Sequence, residues 1–179
     1  MSNERYEGIK RTVTWLFVRY KVSCIPINSF EIAVKIGAKV IPYSAYPLKT
    51  RLLLLKKSED GFCIEKENGE WFIFYNDYKP YGRINNTLMH EIGHIVLDHT
   101  EDSELAESEV KFFAKYALAP PVLIHKLSLS NPLDISNTFD ISLEAAQYAY
   151  NYYLKWLRYG GIEYKQYEVE LLCQFETVV

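Results

Sequence analysis

Residues 87–99 read Thr87-Leu-Met-His90-Glu91-Ile-Gly93-His94-Ile-Val-Leu-Asp-His99. Leu88, Ile92, Ile95 and Val96 recur at i, i+4, i+7 and i+8, which marks one apolar face of an α-helix. His90, Glu91 and His94 fall outside that face. The spacing predicts a helix from about Thr87 to Asp98, with Asn86 or Thr87 near its N-cap. Such a helix is buried along one side and carries ionisable groups along another.

The polar side carries chemistry. Residues four apart lie one turn above each other on a helix. The His90 and His94 imidazoles can each bring a nitrogen to about 2.0–2.1 Å from one Zn²⁺. Glu91 follows the first histidine on the same side. Its carboxylate can reach a metal-bound water without displacing it, which is the position of a general base. Gly93 has no side chain and lets a neighbouring element approach closely.

A catalytic zinc takes three protein ligands and keeps one position open. One familiar arrangement needs Gly at position 97 and a third His at position 100; Leu97 and Thr100 exclude it here. His99 lies five residues past His94, about 140° around a continuing helix, and reads as a surface or supporting residue. The next helix, expected over about Ser103 to Leu118 and ended by Pro120-Pro121, offers Glu104, Glu107 and Glu109, with Glu101 just before it. Leu105, Ala106, Phe112, Phe113 and Tyr116 define its apolar stripe, and Glu109 falls within it at i+4 from Leu105. A carboxylate on a buried stripe is costly unless something compensates it, and a dication would. Glu109 is therefore the expected third ligand, with Glu107 the alternative.

Outward from this pair of helices, the clearest β signal is Phe62 to Tyr75. Asn68-Gly69 is the preferred dipeptide of a two-residue type I′ hairpin turn. Pairing across it sets Ile64 against Ile73 and Phe62 against Tyr75. Lys39 to Tyr43 reads as a strand, placed at an edge by Pro42. The expected sheet is small and mostly antiparallel. Ile9, Val13, Leu16, Phe17 and Tyr20 form the stripe of a first helix. Asn28 and Glu31 suggest a capping box for a short helix that stops at Gly37. Leu48 to Lys57 reads as a helix whose Lys49, Arg51, Lys56 and Lys57 face water. Short and long helices are expected at Val122 to Leu127 and Leu143 to Arg158, and Ile162 to Phe175 reads as a strand or packed tail. The pattern is α+β.

With 179 residues, 49% of them apolar, the chain matches one globular domain spanning 1–179, its core at about 27–158 and a tail over 162–179. The net charge of −3 argues against direct nucleic-acid binding. The longest apolar run, Leu52 to Leu55, is far short of the roughly 20 residues of a membrane span. There is no secretory leader pattern, and the widely spaced Cys24, Cys63 and Cys173 suit reduced thiols in a cytoplasmic protein.

His90-Glu-Ile-Gly-His-Ile-Val-Leu-Asp-His99, followed by Glu107-Ser-Glu-Val-Lys-Phe-Phe-Ala and Ala119-Pro120, resembles the paired motifs of the ImmA/IrrE family of bacterial metallo-endopeptidases. In that family H-E-x-G-H-x-x-L-x-H precedes E-x-E-A-N-x-F-A-x-x-L-L-x-P. The likeness covers about Ile27 to Trp156. It implies a zincin-like fold with a small sheet over the active-site helix. It also implies zinc ligands at His90, His94 and Glu109, with Glu91 as general base. Val110-Lys111 departs from the usual Ala-Asn, and Asn85-Asn86 from a common Arg-Phe, without touching a ligand. The implied activity is zinc-dependent peptide hydrolysis, with Tyr75, Tyr78, Tyr81 and His99 as candidate donors to the oxyanion. The implied substrate is a helix-turn-helix repressor of a mobile element or stress locus. The competing expectation is a non-enzymatic regulator with a structural zinc that acts by binding a repressor or other partner. Ser142-Leu-Glu-Ala-Ala resembles the opening of a helix-turn-helix unit, although a capped core helix explains it more simply. A structural zinc would have no use for Glu91.

Overall fold

The computed structural model describes residues 1–99, 103–160 and 163–176. The architecture is α+β and zincin-like, with helices and a three-stranded mixed sheet. The chain divides into two compact units, Asn28–Val110 and the pair of segments Met1–Ile27 and Lys111–Val179.

The unit Asn28–Val110 contains the sheet and the motif helix. Helix α2 (Ser29–Lys35) opens on Asn28, whose Oδ1 accepts from the backbone N–H groups of Phe30 and Glu31. Gly37, at φ +85°, ends the turn that follows, where a side chain would be strained. Strand β1 (Lys39–Pro42) leads through a short 3-10 turn into α3 (Leu48–Lys57), as the sequence suggested. Strands β2 (Gly61–Glu65) and β3 (Trp71–Tyr75) form the hairpin. The sheet order is β1-β3-β2. The hairpin pair is antiparallel, but β1 joins β3 in parallel, so the sheet is evenly mixed where a mostly antiparallel one was expected. The chain between β1 and β3 runs through α3 and β2, a connection long enough for a parallel return.

The hairpin register differs by one residue from the expected one. Ile64 pairs with Phe72 and Phe62 with Phe74. Gly69 N–H donates to the Lys66 carbonyl at 2.8 Å, and Lys66 N–H donates to Glu70 at 3.0 Å. The loop is thus three residues long, with Gly69 at φ +78°. A turn followed by a left-handed glycine replaces the two-residue turn that Asn-Gly suggests. One step of register swaps the faces of a strand. Phe62, Phe72 and Phe74 therefore share one face, with Phe62 and Phe74 stacked at 5.1 Å and Lys57 and Lys66 over the rings. The opposite face presents Gly61, Cys63, Ile73 and Tyr75.

That opposite face carries α4 (Tyr81–Val96), the helix with the motif. Gly61 lets it approach: a Cβ there would lie 2.7 Å from Thr87 Cγ2 and 2.8 Å from the Phe74 carbonyl oxygen. The carbonyl belongs to the backbone and cannot swing away. Gly61→Ala should therefore destabilise the protein by about 1–3 kcal/mol, as overpacking does. A melting curve checks this, and an unchanged midpoint would contradict the contact.

Helix α4 begins six residues before the expected start, after Pro80. Asn86 and Thr87, read as cap candidates, are therefore inside the helix, as is Asn85, which is 1% exposed. Its Oδ1 accepts from Ser29 N–H at 2.8 Å, and its carbonyl accepts from Ser29 Oγ at 2.7 Å. The asparagine thus satisfies a free N–H of the first turn of α2, and ties α2 to α4 in front of the sheet.

In the second unit, α1 (Asn3–Arg19) buries Ile9, Val13, Leu16 and Phe17, as its stripe predicted. Helix α5 (Glu104–Leu118) crosses the division between the units and is followed by α6 (Pro121–Lys126), α7 (Pro132–Phe139), α8 (Leu143–Tyr159) and α9 (Gln166–Gln174). The stretch read as a strand or tail is the helix α9; Ile162 itself lies outside the described residues. Glu168 shows why: nearly fully buried, it accepts from Lys165 N–H at the helix start and from Trp156 Nε1 of α8. Glu7 of α1 joins the same region. Burial alone would raise its pKa, but hydrogen bonds from Lys10, Lys165 and Tyr167 outweigh this and lower it to about 2. Among the described residues, no helix is long and apolar enough to cross a membrane.

Candidate metal centre

Helix α4 supplies two imidazoles one turn apart, with ring centroids 5.1 Å from each other. The buried faces of Leu88 and Ile92 lie behind them, so the helix is held by its apolar side while the histidines stay partly accessible. The chain leaves the helix after Val96 and returns as α5. Ser103 starts that helix: its Oγ accepts from Ala106 N–H at 3.1 Å and its carbonyl accepts from Glu107 N–H at 2.9 Å. This puts Glu107 in the first turn, facing the imidazoles. Its Oε1 lies 3.3 Å from His94 Nε2 and its Oε2 lies 3.7 Å from His90 Nε2.

One ligand atom from each of His90, His94 and Glu107 lies within 4.8 Å of the others. Among the described residues, this is the group of metal-ligating side chains brought together in that way. The donor set fits a divalent metal. Bonds of about 2.0–2.1 Å in a tetrahedral arrangement separate the donors by roughly 3.3–3.4 Å, close to the two observed spacings. Two neutral nitrogens and one carboxylate fill three positions and leave the fourth for water or substrate.

The acid that meets both imidazoles is thus Glu107, the alternative, and not Glu109. Glu109 is directed elsewhere: its Oε2 lies 3.1 Å from His99 Nε2. The argument that drew attention to Glu109 holds in one respect. Its side chain is only 13% exposed and does sit on a mostly apolar arc that needs a polar partner. That partner is His99. The stripe itself is turned from the expected one, because Leu105 is exposed while Ala106, Val110 and Phe113 are buried. Glu107 lies at the rim of this arc, where it reaches the imidazoles and keeps access to solvent.

His99 is the residue the helical projection misplaced. The helix does not continue to it. Asp98 adopts φ +55°, a left-handed conformation that Asp tolerates better than most residues. The chain turns back, His99 N–H donates to the His94 carbonyl at 3.1 Å, and His99 Nδ1 comes to 3.4 Å from His94 Nδ1.

Glu91 is 6% exposed, a buried carboxylate in the same helix as the two histidines. Sequence reasoning missed its neighbour Tyr43, which is fully buried and donates its hydroxyl to the Ser58 carbonyl at 3.1 Å. Burial first, and then the negative charge of Glu91, push the Tyr43 hydroxyl up to about 12, so it stays a donor at neutral pH. The tyrosines named as oxyanion donors have other settings. Tyr75 stands edge-on to Phe30, Tyr78 is exposed and accepts from Arg51, and Tyr81 opens α4. His125 pairs with Tyr153 in the second unit, consistent with a packing role.

A family model described as the IrrE N-terminal-like domain, a peptidase family, matches residues 47–151, more than half of the chain. The chain belongs to the ImmA/IrrE family of metallopeptidases. The matched segment contains α4, the start of α5 and all three side chains of the centre. Membership makes the protein a peptide-bond hydrolase that works with a metal, and the trio His90, His94 and Glu107 is compatible with holding it. No curated protein sequence matches the chain. Val110, which stands where the family commonly has Ala, is completely buried.

Proposed function

We propose that this metallopeptidase is a zinc-dependent endopeptidase, with zinc held by His90, His94 and Glu107 and with Glu91 as the general base. The observation that carries the reading is the set of three converging ligand atoms beside a buried glutamate on the same helix. Zinc bound there would supply a Lewis acid and bring a water's pKa toward neutrality. The chain's own residues do the rest. His90 and His94 are fixed by the apolar side of α4, and Glu107 by the first turn of α5. Glu91 takes the proton of the attacking water and passes it to the leaving amine. The strand β2 is an edge of the sheet, where an extended peptide can add as a further strand. The donor set favours zinc, since two imidazoles and a carboxylate with an open position are its catalytic arrangement.

The substrate we propose, from the family resemblance, is a helix-turn-helix repressor, with cleavage relieving repression in the cytoplasm. Purified protein incubated with a repressor encoded nearby should cut it, a chelator should stop the reaction, and added zinc should restore it. An intact repressor under all activating conditions tried would remove this substrate. Cleavage that survives removal of all metal would remove the zinc-dependent reading itself.

A further inference from the structure

The two ring nitrogens of His94 have different neighbours. Nε2 faces Glu107 at 3.3 Å, inside the metal centre. Nδ1 lies 3.4 Å from His99 Nδ1, and His99 Nε2 lies 3.1 Å from Glu109 Oε2. His99 and Glu109 are 12% and 13% exposed, so water competes little for either side chain. His99 is also anchored through its backbone N–H to the His94 carbonyl.

The protons along this row are fixed by one requirement. A ligating nitrogen must offer its lone pair, so His94 Nε2 is unprotonated when it holds a metal. The neutral ring then carries its proton on Nδ1, which donates. Its acceptor, His99 Nδ1, must be unprotonated, which places the His99 proton on Nε2. That proton points at the Glu109 carboxylate, a group that only accepts when ionised. Every donor meets an acceptor, and the row runs in one direction, from the metal outward. Carboxylate support of a ligating histidine commonly fixes its tautomer and raises its basicity; here a second imidazole is interposed.

We propose that His99 and Glu109 form a positioning pair. They hold His94 in the tautomer and orientation that bind the metal, and neither touches the metal. The inference rests on the assignment of His90, His94 and Glu107 as the metal site.

The test is zinc affinity, measured on the full chain by competition with a chromophoric chelator. His99→Phe and Glu109→Ala should each weaken zinc binding about 10–100-fold. Glu109→Gln should recover most of that loss, because its amide oxygen still accepts from His99 Nε2–H. Long-range nitrogen–proton NMR of the zinc-loaded wild type should show protons on His94 Nδ1 and His99 Nε2, a readout independent of any variant's folding. Affinities of His99→Phe and Glu109→Ala within twofold of wild type, with Glu107→Ala still losing zinc, would overturn the pair and leave the metal site standing. A loss in Glu109→Ala as large as in Glu107→Ala, with no recovery in Glu109→Gln, would make Glu109 a ligand and overturn the pair. Absence of stoichiometric zinc in the wild type would remove the metal site, and the pair with it.

Discussion

Glu91→Gln should retain its metal and lose hydrolysis by on the order of 10²–10⁴-fold, the usual contribution of a positioned acid–base group. That corresponds to about 3–5 kcal/mol of barrier. The substitution keeps the shape of a buried side chain and removes its ability to take a proton. Glu91 is not among the three converging ligand atoms, so metal content should not change. Because Glu91 is 6% exposed, its neutral isostere should not cost stability; relief of a buried charge could even raise the melting temperature. The measurements are zinc per chain and turnover of a cleavable substrate, made on the same preparation. Full activity in Glu91→Gln would remove Glu91 from the chemistry. Loss of zinc along with activity would instead make it a ligand.

The second large effect is expected at Glu107. Glu107→Ala leaves two imidazoles without an anionic ligand. Zinc affinity should fall by more than the roughly 10–100-fold expected for outer partners, and activity should fall with it. Glu107 is 43% exposed by its side chain, at the start of α5, and its truncation should leave the metal-free protein within about 0.5 kcal/mol of wild-type stability. Denaturant unfolding of the metal-free forms separates this from a folding defect. Unchanged zinc affinity in Glu107→Ala would contradict the assignment.

The sequence made some of this plain and hid the rest for identifiable reasons. His90, Glu91 and His94 were legible because a single helix fixes their relative positions through its period. The boundaries of α2, α3 and α5 followed from Asn28, from the run Leu48–Lys57 and from Ser103 before a proline-terminated stripe. The acid that meets the imidazoles was harder to place, because that depends on how two helices face each other, and a stripe with Leu105 on it pointed to Glu109 where Glu107 is the nearer. Glu109 was correctly seen to need a partner, but the partner is His99, hidden by the left-handed turn at Asp98 that no periodicity reports. The start of α4 was missed because Asn86 and Thr87 resemble caps in sequence, whereas the helix already runs through them from Tyr81. The hairpin register turned on one extra loop residue, which Asn-Gly alone does not distinguish. Helix α7 had a signal in Asn131-Pro132, whose Oδ1 accepts from Asp134 N–H while proline occupies the first helical position.

The central claim is tested most directly by growing crystals with zinc and locating the ion by anomalous diffraction at the zinc edge. One peak is expected, within bonding distance of Nε2 of His90, Nε2 of His94 and a carboxylate oxygen of Glu107. Glu109 should remain on His99. A peak bonded to Glu109 in place of Glu107, or none beside the two histidines, would contradict the account.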